Sequence, residues 1–107
     1  MSTMIPYGNV FKQAIVSLVL SPAQVNINTT AEQTFTLQGV DPAVDMVTAV
    51  SKPTAQAGLG IVNARVSAVD QIAITFSNNT GGAITPTALQ TYLIKVERRD
   101  ASQGNFS

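Results

Sequence analysis

The chain has 107 residues, with six Lys plus Arg balancing six Asp plus Glu, 45% hydrophobic residues and only 11% charged ones, which describes one small, near-neutral domain. It contains no cysteine and no histidine, so disulfides, thiolate metal sites and the commonest acid/base and metal-binding side chain are all missing, and zinc and cysteine chemistry are excluded. Arg98-Arg99 is the sole basic run, too little to neutralise duplex phosphates, so nucleic acid is not an expected partner.

Residues 1–12 hold Met1, Met4, Ile5, Pro6, Tyr7, Val10 and Phe11 without periodicity, and read as an arm outside the core. The apolar run Ala14 to Leu20, interrupted by Ser17, is far short of the roughly 20 residues that span a bilayer, so no transmembrane helix and no membrane partner are expected. No good cleavage site follows it, and a strand is the better reading than a signal peptide. Gln13 to Leu20 and Gln24 to Asn28 then form two strands separated by Ser21-Pro22, or one strand broken there. In Gln33 to Leu37 the alternation turns Phe35 and Leu37 inward, and Gly39 with Asp41-Pro42 signals a turn.

Met46 to Val50 is β-branched and apolar, and Pro53 just after it marks a strand end or an edge. Ile61 to Val66 follows Gly58-Leu59-Gly60, with its even positions apolar and Asn63 and Arg65 outward. Asp70-Gln71 is the tight connection into Gln71 to Ser77, whose Ile72, Ile74 and Phe76 point one way. In the last strand Tyr92, Ile94 and Val96 face inward while Lys95 and Glu97 face water, with Leu93 the exception. Residues 99–107 form a polar tail.

Seven short strands and almost no helix predict an all-β fold, a small antiparallel β-sandwich of Ig-like or jelly-roll-like kind with extended terminal arms. The boundaries are an N-terminal arm at 1–12, a sandwich at 13–98 and a tail at 99–107. The charged fraction is well below the usual quarter, leaving a bland Thr/Ser/Asn/Gln/Ala surface suited to packing against other subunits.

Catalysis finds no foothold. Of the six carboxylates, Asp41 and Asp70 fall at turns, Glu97 on an outward strand face and Asp100 in the tail, so no pair converges for acid/base work. Asp41 and Asp45 are a weak approximation to calcium ligands. Gly58-Leu59-Gly60 and Gly81-Gly82 lack the context of a phosphate-binding loop, and Ser51 and Ser67 lack a histidine base. No enzyme activity, catalytic residue, metal or cofactor is expected. Asn28-Thr29-Thr30 and Asn78-Asn79-Thr80 fit the glycosylation pattern, which chance supplies in an Asn/Thr-rich chain. The loop Asn78 to Pro86 has side chains suited to sugar, but needs an aromatic platform that only Tyr92 offers; the plainer reading is a crossing between sheets that satisfies its own backbone.

Two strings stand out: Lys52-Pro53-Thr54-x-Gln56-Ala57-Gly58-Leu59, running on to Ala64-Arg65-Val66-Ser67-Ala68, and Ile72-x-Ile74-Thr75-Phe76-x-Asn78-x-Thr80-x-Gly82-x-Ile84-Thr85-Pro86-Thr87, followed closely by Tyr92. Together they resemble a group of small tailed-phage virion proteins, over roughly residues 26–98, with Asn63 where the pattern has Gly. The resemblance implies a β-sandwich virion component, a head decoration or cement protein on the outer capsid surface, made in the bacterial host cytoplasm. It implies the major capsid protein as partner and carries over no catalytic or ligand residue.

A clip of this kind is expected to be a homo-oligomer, a trimer at local three-fold positions, using residues 1–12 or 98–107 to reach a neighbour. The expected partner-binding residues are Tyr7, Val10 and Phe11, each contributing about 1.5–3 kcal/mol on full burial. The alternative is a virion-displayed module, a head fibre or tail adhesin, that binds a glycan or host protein through the loops at one end.

Overall fold

The structure, a computed structural model, describes residues 10–99, with side chains from residue 12 onward. Tyr7 and the remainder of 1–9, together with 100–107, lie outside the described residues. Six strands follow in chain order: β1 (Val10–Leu20), β2 (Thr29–Thr36), β3 (Asp45–Ser51), β4 (Leu59–Ala68), β5 (Gln71–Asn78) and β6 (Gln90–Arg99). They make two antiparallel three-stranded sheets, β1-β6-β3 and β2-β5-β4, and no helix occurs among the described residues. β1 begins at Val10 and pairs Val10 with Arg99. The strand thus takes in the last three residues expected as an arm, including the backbones of Val10 and Phe11.

Only β4 and β5 are consecutive strands within one sheet; every other connection changes sheets. The two sheets share one core because the central strands alternate as strands must. Ile72, Ile74 and Phe76 of β5 and Tyr92, Ile94 and Val96 of β6 are buried, together with Leu20, Val25, Leu37, Val40 and Val66. The edge strands contribute half-buried Val16, Leu18, Phe35, Val47, Val50, Ile61 and Ala64.

Two sequence expectations are corrected. Gln24 to Asn28 is not a strand but a single bridge between Val25 and Ile84. Pro22 supplies no donor before it, and Asn28 leaves extended backbone at φ 45°, so one pair is all the geometry permits. In β4 the even positions do not all face inward. A bulge between Ile61 and Asn63 shifts the register against β5, which turns Ile61 into the core and leaves Val62 60% exposed.

The β4–β5 turn places Asp70 in left-handed backbone, φ 61°, which Asp tolerates. Its main chain accepts from the Leu37 N–H and donates to Val40 O, and its carboxylate accepts the Gly39 N–H. The hairpin tip is thereby tied to the β2–β3 connection.

Candidate interaction surface

The two strings singled out in the sequence meet at one end of the molecule and hold each other. The Gln56 side chain imitates a strand: its Nε2 donates to Thr85 O and its Oε1 accepts from Thr87 N. Pro86 between them is buried. Gly58, at φ 82°, lies so close to Thr80 that an added Cβ would overlap Thr80 Cγ2, and Gly58 O accepts the Asn79 N–H. Asn78 is the hub. Buried at the end of β5, it donates from Nδ2 to Val25 O and Gly82 O and accepts at Oδ1 from the Thr80 N–H and hydroxyl. All of its hydrogen-bonding capacity toward this loop is engaged within the chain, so the Asn78–Pro86 loop braces its own backbone. Tyr92, the aromatic platform a sugar site there requires, is fully buried in the core.

The carboxylates are similarly occupied. Asp45, whose side chain is 2% exposed, accepts from Arg98 Nε at 2.7 Å and Nη2 at 2.8 Å and from the Asp41 N–H at 2.8 Å. The Arg98 guanidinium holds its carboxyl below the usual Asp value, against the opposing effect of burial. The same Arg98 Nη2 donates to Gly39 O, pinning the β2–β3 connection to the end of β6. Asp41 accepts the Ala43 N–H. A cleft of about 200 Å³ opens beside this pair, lined by Val16, Leu37, Val40 and Val96, and its buried carboxylate already accepts the three hydrogen bonds from Arg98 and Asp41. Among the described residues, no group of three or more acidic side chains is gathered as a metal site requires.

On the other sheet, Arg65 reaches across β5 to Glu32 in a two-bond fork, 2.8 and 2.9 Å. That fork crosses β5 between the Ala73 and Thr75 rows of the register, consistent with Ala73 being buried although its neighbours on that face are Thr and Ser.

What remains unengaged is the outward face of the β1-β6-β3 sheet. The register places Ser17 beside Leu93 and Ser51, Ile15 beside Lys95 and Ala49, Val19 beside Thr91, and Met46 beside Glu97. Ile15 is 68% exposed, Val19 63%, Leu93 44% and Met46 59%. Ile15 and Val19 flank Leu93 diagonally across the β1–β6 pair, within reach of one another. Lys95 and Glu97 pair at 3.5 Å along β6, so that the charge beside Ile15 is neutralised by its neighbour. Just past the Leu20–Gln90 pair, Leu89 stands exposed in left-handed backbone (φ 57°), with its N–H on Ser21 Oγ.

Of the residues expected to bind a partner, Tyr7 lies outside the described residues, and Val10 and Phe11 are placed as backbone at the start of β1. Sequence reasoning did not single out Ile15, Val19 or Met46. For Ile15 and Val19 the signal was the run Ala14 to Leu20, in which, Ser17 apart, both faces of a strand are apolar although only one meets the core. Comparison with protein-family models, with curated proteins and with solved structures finds no match.

Proposed function

We propose that the chain is a virion structural protein, a decoration or cement protein that binds the outside of a phage head and bridges coat subunits. The fold that goes with this reading is a β-sandwich of Ig-like or jelly-roll-like kind with terminal arms. The observation that carries it is the apolar outward face of the β1-β6 pair, where Ile15, Val19 and Leu93 stand exposed as diagonal neighbours on regularly paired strands. A contiguous apolar patch on rigid strands marks an interaction surface, and the major capsid protein is the partner proposed for it. The resemblance of the two braced strings to small tailed-phage virion proteins supplies the viral context. The brace itself supports a mechanical role, since these residues hold a corner together rather than present groups to a ligand.

On this reading Tyr7, Val10 and Phe11 add to the grip from the N-terminal side. The test uses purified full-length chain and expanded heads that lack it. The expected result is saturable attachment, seen in cryo-electron microscopy as density on the outer surface, with heads that resist heating better than undecorated ones. Leu93→Lys or deletion of residues 1–9, which leaves β1 whole, weakens attachment at least about tenfold, the equivalent of 1.4 kcal/mol. Heads that gain neither density nor thermal resistance, combined with binding on a glycan array, refute the reading in favour of a host-binding module.

A further inference from the structure

Four strands end a sheet: β1 and β3 in one, β2 and β4 in the other. An exposed sheet edge is a template for pairing with another chain, and proteins blunt such edges with bulges, charges and proline. Three of the four are blunted. β3 carries a bulge between Val47 and Ala49 and runs out into Lys52-Pro53. β4 carries two bulges, at Ile61/Asn63 and Val66/Ala68. β2 is regular, but its outward residues are Thr30, Glu32, Thr34 and Thr36, and its Gln33 amide closes onto the main chain of Ala23 with two hydrogen bonds.

β1 has no such protection. Beyond the irregularity at Val10/Lys12 it pairs with β6 without interruption from Lys12 to Leu20. Ala14 to Leu20 contains no charge, proline or glycine, and its outward Ile15 and Val19 are both exposed. No strand covers its other edge among the described residues.

We propose that this edge pairs with β1 of a second copy of the chain, antiparallel, about a two-fold axis at Ser17. The strand is self-complementary about that position. Ile15 falls opposite Val19 of the second copy, Val16 opposite Leu18, Ala14 opposite Leu20, and Ser17 opposite Ser17 on the axis. Every apolar side chain meets an apolar one on its own face, and the small Ala14 meets the large Leu20. The two Lys12 charges are carried to opposite ends, and Pro22, which has no N–H to donate, closes the pairing at each end. Shifting the two-fold centre by one residue, to Val16, sets Gln13 against Val19 and Lys12 against Leu20, which removes the match.

The result is a six-stranded sheet, β3-β6-β1-β1-β6-β3, whose outward face joins both copies of Ile15, Val19 and Leu93 into one stripe. A paired edge of nine residues is about 30 Å long and one sheet deep, on the order of 300 Å² per copy. A standard stable interface takes about 800 Å² per partner. The contact is therefore weak for free molecules and becomes populated where copies are crowded. It is two-fold, in place of the three-fold grouping expected from the sequence, and it does not depend on what the outward face binds.

The absence of cysteine makes single cysteines clean reporters in the full chain. Gln13→Cys, Ile15→Cys, Ser17→Cys and Val19→Cys, with Thr48→Cys on β3 as a control, are oxidised at high protein concentration. Directly opposed residues of an antiparallel pair have Cα atoms about 4.5–5.5 Å apart, inside the disulfide range, whereas each Ile15→Cys thiol stands about 13 Å from its mate. The expected dimer yield peaks at Ser17→Cys and falls at least about tenfold at the other positions. Val19→Lys, at an exposed site, should abolish concentration-dependent association in sedimentation equilibrium while leaving the unfolding midpoint in place. A yield that peaks on β3, spreads evenly along β1 or is absent throughout overturns the proposal, as does undiminished association of the Val19→Lys chain.

Discussion

Asn78 carries the corner where the two strings meet, and its replacement is the sharpest test of that corner. In Asn78→Ala, Val25 O keeps the Ile84 N–H, and the Thr80 hydroxyl, released from Oδ1, donates its one proton to Gly82 O, 2.8 Å away. The Thr80 N–H, however, loses Oδ1. One unpaired donor beside the core costs about 1–3 kcal/mol, and the cavity left by the carboxamide adds about 1 kcal/mol. The expected loss is about 2–4 kcal/mol, or a fall in the unfolding midpoint of about 10 °C or more for a domain of this size.

Asn78→Asp is nearly isosteric and should be worse at neutral pH. It turns an acceptor toward Val25 O and Gly82 O, where the amide had been donating, and it buries a charge. Burial raises the folded pKa of the introduced carboxylate above its unfolded value, so its penalty is full above the raised value and recedes as the pH falls through it. Urea and thermal unfolding at pH 7 and pH 3.5, with hydrogen exchange at the Val25 and Ile84 amides, measure all of this. If both variants lose less than about 0.5 kcal/mol, the range of an ordinary surface substitution, the corner is not held by Asn78.

Two further outcomes follow from single groups. Among the described residues the buried Tyr92 hydroxyl has no hydrogen-bond partner, so Tyr92→Phe is expected to leave stability unchanged or raise it by about 1 kcal/mol in urea titration. Burial pushes its phenol above the ordinary value of 10.0; the native chain should therefore lose stability as pH rises above 10 in a way that Tyr92→Phe does not. Asp45→Asn keeps the shape but faces an amide nitrogen toward a donor, at a cost of about 2 kcal/mol. Because Arg98 lowers the Asp45 carboxyl below 3.8, the native advantage is full above that value and disappears as the pH falls through the lowered one, so the two unfolding curves should converge in acid.

The central strands were legible because a strand with neighbours on both sides has little freedom: Ile72, Ile74 and Phe76, or Tyr92, Ile94 and Val96, have one way to face. The edge strands were located, with Phe35 and Leu37 facing inward as expected, but the facing of β4 was not legible, since an edge strand admits an extra residue without breaking a second ladder. The bulge that turns Val62 out and Ile61 in leaves the composition of β4 unchanged. Val25-x-Ile27 alternated as a strand does, but a strand also needs a continuous partner, and Ile84 offers one pair. The brace was invisible for a different reason. Gln56 and Thr85 are 29 residues apart, and nothing local to either announces the other. The self-bracing of the Asn78 loop was legible, since Thr80 and Gly82 lie within four residues of Asn78; its bond to Val25 and the pairing of Asp45 with Arg98, each across 53 residues, were not.

The energetics of the outward face bear on what kind of partner suits it. Ile15, Val19 and Leu93 retain about half to two-thirds of their exposure, so covering all three yields on the order of 3–5 kcal/mol per copy. Bringing two free bodies together costs at least about 4 kcal/mol, and such a face by itself gives no tight complex with a single soluble partner. On a repeating shell the association cost falls on the first contact of a linked group, and each later contact adds with little further loss of freedom. A face of few apolar residues on rigid strands, with an edge that links copies weakly, therefore works best against a periodic surface. Attachment should accordingly respond to Leu93→Lys far more steeply on intact heads than on isolated coat subunits, where the contacts cannot accumulate.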